Sequence, residues 1–248
     1  MKRFGLIGHP LGHSFSQAYF TEKFQRENTD ACYENFDLED ISEIRQLLDQ
    51  HPDLKGFNVT IPYKEAIISY LDEIDKTGEE AGAVNTVKVL PDRHLKGYNT
   101  DIIGIEVSLF GTETPNSSLR VEHALILGTV GASKAVQYVL KKHHIPFHLV
   151  SRDPDKGHFT YETLSQKDIK EHLLIINATP VGMAPIIAEA PVIPYEALTP
   201  QHVLFDLIYN PEETLFLKRG KEHGAQTING LTMLHAQAEA SWKIWNQE

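Results

Sequence analysis

Hydroxyl and amine side chains in the first half of the chain could bind an anion and transfer a proton. Ser14 and Ser16 stand at the predicted start of a helix, where hydroxyl and backbone N–H groups can bind a carboxylate. Lys64 follows Pro62, and we expect this lysine in the first turn of another helix. The helix dipole disfavours an ammonium group there, which would favour release of its proton, as acid–base chemistry requires.

Each of these residues also has an ordinary structural interpretation. Ser14 followed by Gln17 matches a helix-capping pattern, and Asp101 before another predicted helix could be its N-cap. Lys64 could be a solvated surface lysine, and Asn85, at the start of a predicted strand, could be a turn residue. Residue type and spacing leave both possibilities open at each position.

A glycine-rich turn in the second half of the chain predicts a dinucleotide site. The apolar residues 124–127 run into GTVGAS and then a helix, and a second predicted strand ends at Val150. This unit has the length of a mononucleotide-binding βαβ motif, about 30 residues, and its helix start would receive the pyrophosphate. Arg152 favours binding of the 2′-phosphate of NADP, and Lys156 could also contact this phosphate. The alternative is an ordinary βα turn without a ligand.

The elements that must position these residues alternate between strand-like and helix-like segments. This alternation predicts an α/β protein with a largely parallel sheet and helices on both faces. The first series has strands at 3–8, 31–36 and 56–61, helices at 16–27, 40–49 and 63–71, and a hairpin at 84–90 and 93–98. After a loop-like stretch at 111–118, the second has strands at 124–127, 147–150, 173–177 and 203–208, and helices at 133–143 and 232–246.

Composition narrows the classes of function. The chain has 248 residues, enough for two modest α/β domains, and a formal net charge of −11 without a basic cluster, which argues against nucleic acid as a partner. No apolar stretch has the length of a membrane span. The single cysteine, Cys32, fits a reducing cytoplasm. We therefore expect a cytoplasmic protein without a nucleic-acid or membrane partner. No residue pattern in the sequence resembles a metal site.

Seven short segments, in order along almost the whole chain, resemble the shikimate dehydrogenase family. They are GHPLGHSFS at 8–16, NVTIPYK at 58–64, GAVNT at 82–86, NTDIIG at 99–104, INATPVGM at 176–183, DLIYNP at 206–211 and NGLTMLHAQ at 229–237. One such segment would be weak support, but seven in order are specific.

The resemblance implies two domains and one activity. It implies an α/β substrate domain, residues 1–101, completed by a C-terminal helix at 231–248, and a doubly wound, Rossmann-like NADP-binding domain at 102–230. The implied reaction is the reversible NADPH-dependent reduction of 3-dehydroshikimate to shikimate, by a monomer or a homodimer. The alternatives are a quinate/shikimate dehydrogenase that uses NAD, and a cofactor-binding relative with impaired turnover.

The resemblance also implies roles for individual residues. Lys64 and Asp101 would be the catalytic pair. Substrate would be bound by Ser14, Ser16, Thr60, Asn85, Asp101, Tyr209 and Gln237. NADP would be bound by Gly128, Thr129, Val130, Gly131, Ala132, Ser151, Arg152, Lys156, Thr179, Leu207 and Gly230. Two residues depart from the family pattern: Val130 replaces a glycine and Asp153 adds a negative charge beside Arg152, so we expect NADP to bind more weakly than in typical members.

Overall fold

The chain folds into two compact units, which each have their own sheet. The computed structural model describes residues 1–12, 14–111, 121–129 and 131–247. The first unit comprises Met1–Thr100 and Ala238–Glu248, and the second comprises Asp101–Gln237. Residues 231–237, which the resemblance assigned to the first domain, group with the second unit. The reason is that Gly104 packs directly on Met233, with 2.6 Å between a Cβ built on that glycine and the Met233 carbonyl oxygen.

The elements of the first unit follow the predicted alternation. Its strands are β1 (Lys2–Gly8), β2 (Ala31–Asp37), β3 (Leu54–Val59), β4 (Glu73–Ile74), β5 (Thr86–Val89) and β6 (Leu95–Tyr98). Its helices are α1 (Phe15–Arg26), α2 (Ile44–Gln50) and α3 (Lys76–Ala81), with 3-10 turns at Ile41–Glu43 and Ala66–Tyr70.

The helix predicted for residues 63–71 is wrong. The segment is a turn followed by the short 3-10 helix Ala66–Tyr70. The physical reason is that the Lys64 carbonyl accepts the Val84 N–H at 2.7 Å. This carbonyl is therefore bonded to the segment that enters β5 rather than to the next turn of a helix. Lys64 therefore does not stand in the first turn of an α-helix, and the dipole argument for its proton release does not apply.

The sheet of the first unit is mixed rather than largely parallel. Its strand order is β2-β1-β3-β5-β6-β4. β1 is parallel to β2 and β3, whereas β5 is antiparallel to both β3 and β6. The β5–β6 pair is antiparallel because these strands form the predicted hairpin around Pro91 and Asp92, and a hairpin reverses the chain direction.

The second unit is doubly wound. Its elements are α4 (Asp101–Phe110), β7 (Ala124–Leu127), α5 (Ala132–Lys142), β8 (Phe147–Ser151), β9 (Phe159–Thr160), α6 (Gln166–Glu171), β10 (Leu174–Asn177), β11 (Val203–Asp206), α7 (Leu215–Glu222) and β12 (Gln226–Ile228), with a 3-10 turn at Tyr195–Ala197. The sheet is parallel throughout, in the order β12-β11-β10-β7-β8-β9. This is the strand order of a Rossmann fold, and its strands β7, β10 and β11 are wholly buried, as expected of a sheet covered on both faces.

The final helix, α8 (Leu231–Asn246), contributes residues to both units. In the first unit Trp245 stacks on Phe4, with 4.9 Å between ring centroids, and its Nε1 donates to the Val87 carbonyl at 3.0 Å. Gly56 leaves the room for this indole, because any Cβ there would overlap it. In the described residues no helix is both long and apolar enough to cross a membrane.

Candidate active site

The first unit brings five of the predicted substrate and catalytic residues to one edge of its sheet. β1 and β3 are parallel and end at this edge, and β5, antiparallel to β3, begins there. The carboxyl ends of parallel strands are the usual ligand side of an open α/β sheet. The five residues adjoin these strand ends: Ser14, Ser16, Thr60, Lys64 and Asn85.

The loop after β1 is fixed by one carboxylate at the end of β2. Asp37 Oδ2 accepts the Leu11 N–H at 3.0 Å, and Asp37 Oδ1 lies 2.6 Å from His9 Nδ1. These two hydrogen bonds lower the pKa of Asp37. Residues 9–11 are thus held at the end of β2.

Ser14 caps α1, which confirms the capping interpretation. Its Oγ accepts the Gln17 N–H at 3.2 Å, and the same hydroxyl donates to Asn35 Oδ1 at 2.8 Å. Asn35 also donates to Gln17 Oε1 at 3.2 Å. The hydroxyl is therefore oriented jointly by α1 and β2.

A buried, uncharged network supports Ser16 and Asn85. Burial raises the pKa of Tyr33, and a hydrogen bond with the neighbouring Ser16 hydroxyl opposes that rise. The Tyr33 hydroxyl donates to Asn58 Oδ1 at 2.8 Å. Asn58 Nδ2 then faces the Asn85 carbonyl oxygen at 3.2 Å and Thr86 Oγ1 at 3.1 Å. Polar contacts thus run from Ser16 to Asn85, which are both predicted to bind substrate.

Helix α8 completes this network with Ser241. Ser241 Oγ accepts from Asn58 Nδ2 at 3.0 Å and lies 2.8 Å from Thr86 Oγ1 and 3.2 Å from Thr100 Oγ1. Thr100 in turn donates its backbone N–H to Asn85 Oδ1 at 2.7 Å. The amide oxygen of Asn85 is thereby fixed. The network members are all buried: Tyr33, Asn58, Asn85, Thr86, Thr100 and Ser241.

Thr60 and Lys64 lie in the turn after β3. The Thr60 N–H donates to the Ile7 carbonyl at 2.8 Å, and the Thr60 methyl group occupies the space that a Cβ on Gly8 would need. The bond between the Lys64 carbonyl and the Val84 N–H holds the lysine beside the segment that enters β5. The lysine is half-buried.

The remaining predicted substrate residues belong to the second unit. Asp101 is buried and is the first residue of α4, rather than an N-cap preceding it. Tyr209 lies in the loop after β11, and burial raises its pKa. Gln237 lies on α8 and donates from Nε2 to the Leu234 carbonyl at 3.0 Å. Their substrate contacts, and the pairing of Lys64 with Asp101, stay predictions.

The glycine turn after β7 fits a dinucleotide. Gly128 has φ +102° and Gly131 has φ +61°, values that residues with side chains rarely adopt. Gly131 directly precedes α5 and has no side chain to cap it, so the first-turn N–H groups face the turn, as anion binding requires. A Cβ on Gly131 would meet no described residue within 4 Å beyond its chain neighbours. Thr129 lies in this turn and Ala132 begins α5, whereas Val130 lies outside the described residues.

The turn stands at the topological switch point of the second sheet. β7 lies between β8 and β10, where the winding of the chain reverses, and such points bind ligands in open α/β sheets. A Cβ on Gly128 would lie 3.0 Å from Thr179 Cγ2, so Thr179, which follows β10, packs against the glycine turn. Two predicted cofactor segments are thus adjacent.

Leu207 and Gly230 join the same end of the sheet. The Leu207 N–H donates to the Asn177 carbonyl at 3.1 Å, and the Gly230 N–H donates to the Ile208 carbonyl at 3.0 Å. A Cβ on Gly230 would lie 2.6 Å from the Leu207 carbonyl carbon. Only glycine lets the chain pass this close to the loop after β11.

The residues predicted to bind the 2′-phosphate follow β8. Ser151 ends that strand, and its Oγ accepts the Asp153 N–H at 3.0 Å. Asp153 pairs with Lys156 at 3.3 Å, while Arg152 is exposed beside them. Because Lys156 balances Asp153, the repulsion that we expected between Asp153 and a phosphate at Arg152 is reduced.

Several residues that hold the site lie within the family-like segments but carried no predicted role. Asn177 and Asp206 each end a strand that is otherwise apolar and buried, and Asn58 is the last residue but one of β3. A polar residue that closes such a strand is a signal for the ligand edge of the sheet, and it was available from the sequence. Tyr33 and Ser241 gave no comparable signal. Among the described residues, no group of three His, Cys, Asp or Glu side chains is placed to hold a metal ion.

Fold and site together define a two-unit α/β protein with a Rossmann-type dinucleotide-binding unit. Residues 6–87 match the family model of the shikimate dehydrogenase substrate binding domain. The shikimate dehydrogenase (NADP(+)) of Methanococcus maripaludis strain C6 is 40% identical over 260 residues, which cover 98% of this chain and 91% of that protein. The chain belongs to the shikimate dehydrogenase family.

Solved structures agree with this family. Shikimate dehydrogenase 1 from Peptoclostridium difficile has a TM-score of 0.84 and 39% identity, covering 99% of this chain and 91% of that chain. Shikimate 5-dehydrogenase from Thermus thermophilus, solved in complex with NADP(H) and shikimate, has a TM-score of 0.86 and 29% identity, covering 99% and 94%.

Proposed function

We propose that this protein catalyses the reversible reduction of 3-dehydroshikimate to shikimate with NADPH. The observation that carries the proposal is the gathering of Thr60, Lys64 and Asn85 at the ligand edge of the first sheet, beside the capped serine turn. The 40% identity to a relative named shikimate dehydrogenase (NADP(+)) supports it over nearly the whole chain.

The substrate carboxylate is proposed to bind at the start of α1. Ser14 and Ser16 offer hydroxyl groups there, and the positive end of the helix dipole favours an anion. Thr60, Asn85, Tyr209 and Gln237 are proposed to bind the ring hydroxyls. Because Thr100 holds the Asn85 amide oxygen, the proposed ring contact of Asn85 is through its amide nitrogen.

The proton is proposed to move at Lys64. Reduction of the ketone places negative charge on the carbonyl oxygen, and a donor within hydrogen-bond reach stabilises that charge. The Lys64 ammonium donates this proton, and in the oxidation direction the neutral amine accepts the proton of the substrate hydroxyl. Asp101 is the proposed partner that keeps the lysine protonated between turnovers.

The second unit is proposed to hold NADP. The first-turn N–H groups of α5 bind the pyrophosphate, and Arg152 and Lys156 bind the 2′-phosphate. Thr179, Leu207 and Gly230 line the approach to the nicotinamide. When bound, the cofactor supplies or accepts the hydride, which side chains cannot do.

A spectrophotometric assay tests this function directly. Shikimate with NADP⁺ is expected to raise the absorbance of reduced nicotinamide, with a higher kcat/KM than quinate or than shikimate with NAD⁺. A higher kcat/KM for quinate with NAD⁺ would instead establish the quinate dehydrogenase alternative. Cofactor binding without turnover of either acid would establish a relative with impaired turnover.

We also propose that the protein acts in the cytoplasm as a monomer or a homodimer. The single cysteine is consistent with a reducing compartment. Analytical ultracentrifugation at micromolar concentration would distinguish the two states.

A further inference from the structure

Asp206 is a buried carboxylate that no charged side chain balances among the described residues. It closes β11 and is 0% exposed. Burial raises its pKa to about 6, against opposing hydrogen bonds from Thr214, Ile208 and Asn177. An ionised carboxylate in such a place is costly unless every oxygen is well satisfied. Its presence therefore calls for a physical reason.

Three separate segments converge on this carboxylate. Oδ1 accepts the Asn177 side-chain amide and the Ile208 N–H, both at 3.1 Å, and Oδ2 accepts the Thr214 hydroxyl at 2.6 Å. Asn177 ends β10, Ile208 lies in the loop after β11, and Thr214 is the N-cap of α7. One carboxylate thus ties the end of β10, the loop after β11 and the start of α7 together.

Asn177 connects the Asp206 carboxylate to the glycine turn through further hydrogen bonds. Its Oδ1 accepts both the Thr179 N–H at 3.1 Å and the Thr179 hydroxyl at 2.6 Å, and its carbonyl accepts the Leu207 N–H at 3.1 Å. The Thr179 methyl group in turn packs against Gly128. A short chain of contacts therefore leads from the carboxylate to the turn at the switch point.

We propose that Asp206 is a positioning residue whose ionised carboxylate sets the dinucleotide-binding loops through Asn177 and Thr179. This inference rests on the proposed function, because it concerns how that function's cofactor is bound. Asp206 itself touches neither substrate nor cofactor. Its ionisation controls NADP affinity rather than the chemical step.

The hydrogen-bond pattern shows what protonation changes. Oδ1 faces two N–H donors, so the proton goes to Oδ2, where it is donated to the Thr214 oxygen. The bonds at Oδ1 remain but lose their charge assistance, and charge-assisted bonds are roughly twice as strong as neutral ones. The titratable group that faces Asp206 is the buried Tyr195, and Arg219 of α7 lies over the tyrosine ring at 5.1 Å. Burial raises the pKa of Tyr195, so the tyrosine stays neutral between pH 5 and 8.

Calorimetric titration of NADP⁺ into wild type and Asp206→Asn, from pH 8 to pH 5.5, tests the proposal. Asparagine keeps the Oδ1 acceptor and donates to Thr214, so it mimics the protonated acid. We expect the variant to bind NADP⁺ about fivefold more weakly at pH 8, and the two proteins to converge near pH 5.5. The 2′-phosphate titrates near pH 6 itself, so the readout is the difference between the proteins. At saturating NADP⁺, kcat is expected to be unchanged within about twofold.

A second pair of variants tests the same carboxylate without altering it. Thr214→Val removes one donor to the ionised form, so the pH midpoint of NADP⁺ affinity should rise, whereas Thr214→Ser should leave it near the wild-type value. Equal pH dependence in wild type and Asp206→Asn, or an unmoved midpoint in Thr214→Val, overturns the positioning role. Either result leaves shikimate turnover intact, whereas failure of wild type to bind NADP⁺ overturns both proposals.

Discussion

The two units hold their predicted ligand-binding residues by opposite means. In the first unit, Tyr33, Asn58 and Ser241 form an uncharged network in which most groups both donate and accept. In the second, the single carboxylate of Asp206 accepts from three segments. The first arrangement has no group that changes charge near neutral pH, whereas the pKa of Asp206 is raised by burial to about 6.

The two arrangements differ in their energetic cost and in the number of segments that one group can hold together. A neutral network avoids burying a charge, but each member needs several partners of the right kind, so it spans β2, β3, β5 and α8. A carboxylate only accepts, and one such group can therefore tie three donors at once. The penalty is desolvation and sensitivity to pH. We expect substrate binding to be insensitive to pH near neutrality and cofactor binding to weaken below it.

The largest effect is expected at the proposed reacting group of the first unit. Lys64→Ala should lower kcat by about 10²–10⁴-fold, because loss of one acid–base group typically costs that much. The Kd for shikimate should change little, since the lysine acts mainly on the transition state. Lys55→Ala, at an exposed position on β3, is the control. A Lys64→Ala enzyme that keeps most of its kcat would contradict the assignment.

The next largest effect is expected at the residues of the second unit that are proposed to bind the 2′-phosphate. Arg152→Ala should weaken NADP⁺ binding by about 1.5–3 kcal/mol, the usual contribution of a hydrogen bond to a charged group, and leave NAD⁺ binding nearly unchanged. Lys156→Ala should have a smaller effect, because this lysine also pairs with Asp153 at 3.3 Å. The measurement is the ratio of the two dissociation constants. An unaltered NADP-to-NAD ratio in Arg152→Ala would point to NAD as the cofactor.

A smaller effect should distinguish the uncharged network from ordinary buried hydrogen bonds. Tyr33→Phe and Tyr63→Phe each remove one buried hydroxyl, which donates to Asn58 Oδ1 at 2.8 Å and to the Leu38 carbonyl at 2.7 Å, respectively. Both should lower the free energy of unfolding by about 1–3 kcal/mol. Only Tyr33→Phe should also raise KM for shikimate, because it loosens Ser16 and Asn85, and that rise should be the same from pH 6 to pH 8. Equal KM values in the two variants would show that the network is purely structural.

Much of the fold could be predicted from the sequence because its signals are local. Alternating apolar and helical segments predicted the strands of four or more residues within a few residues, and the glycine turn predicted the start of α5. The short strands β4, β9 and β12 and the helices α3, α6 and α7 were not predicted. The prediction failed at residues 63–71, where one long-range bond, from the Val84 N–H to the Lys64 carbonyl, replaces the helix. Such a bond leaves no trace in local residue spacing.

The supporting residues of both sites were harder to find for the same reason. The network joins Tyr33 to Asn58 and Asn58 to Ser241, pairs separated by 25 and 183 residues. Their contacts depend on which strands adjoin and on where α8 packs, and neither is encoded in a short window. Asn177 and Asp206 differ, since each closes an apolar strand at its ligand end. A polar residue at that position is a candidate site residue whenever the sequence predicts a parallel sheet.

The smallest expected effect tests how much the burial of the Asp206 charge lowers the free energy of unfolding. The pKa of Asp206 is raised from 3.8 to about 6, so the folded protein holds this proton more tightly than the unfolded chain. Stability from this group is therefore fully present below pH 3.8 and is lost as the pH rises through about 6. Between pH 7 and pH 5, the wild type should gain about 1 kcal/mol of unfolding free energy relative to Asp206→Asn. Urea denaturation of both proteins at the two pH values gives this difference.

Asp40 in the first unit is the matched control, since its pKa shift has the opposite sign. Hydrogen bonds from Ser42 lower its pKa, so the stability it contributes is present above its ordinary pKa and is lost only as the pH falls below it. Asp40→Asn should therefore change stability by the same amount at pH 5 and pH 7, whereas Asp206→Asn should not. If the Asp206→Asn difference were also constant, the carboxylate would be ionised at both pH values, and the contrast between the two units would lie in hydrogen-bond geometry alone.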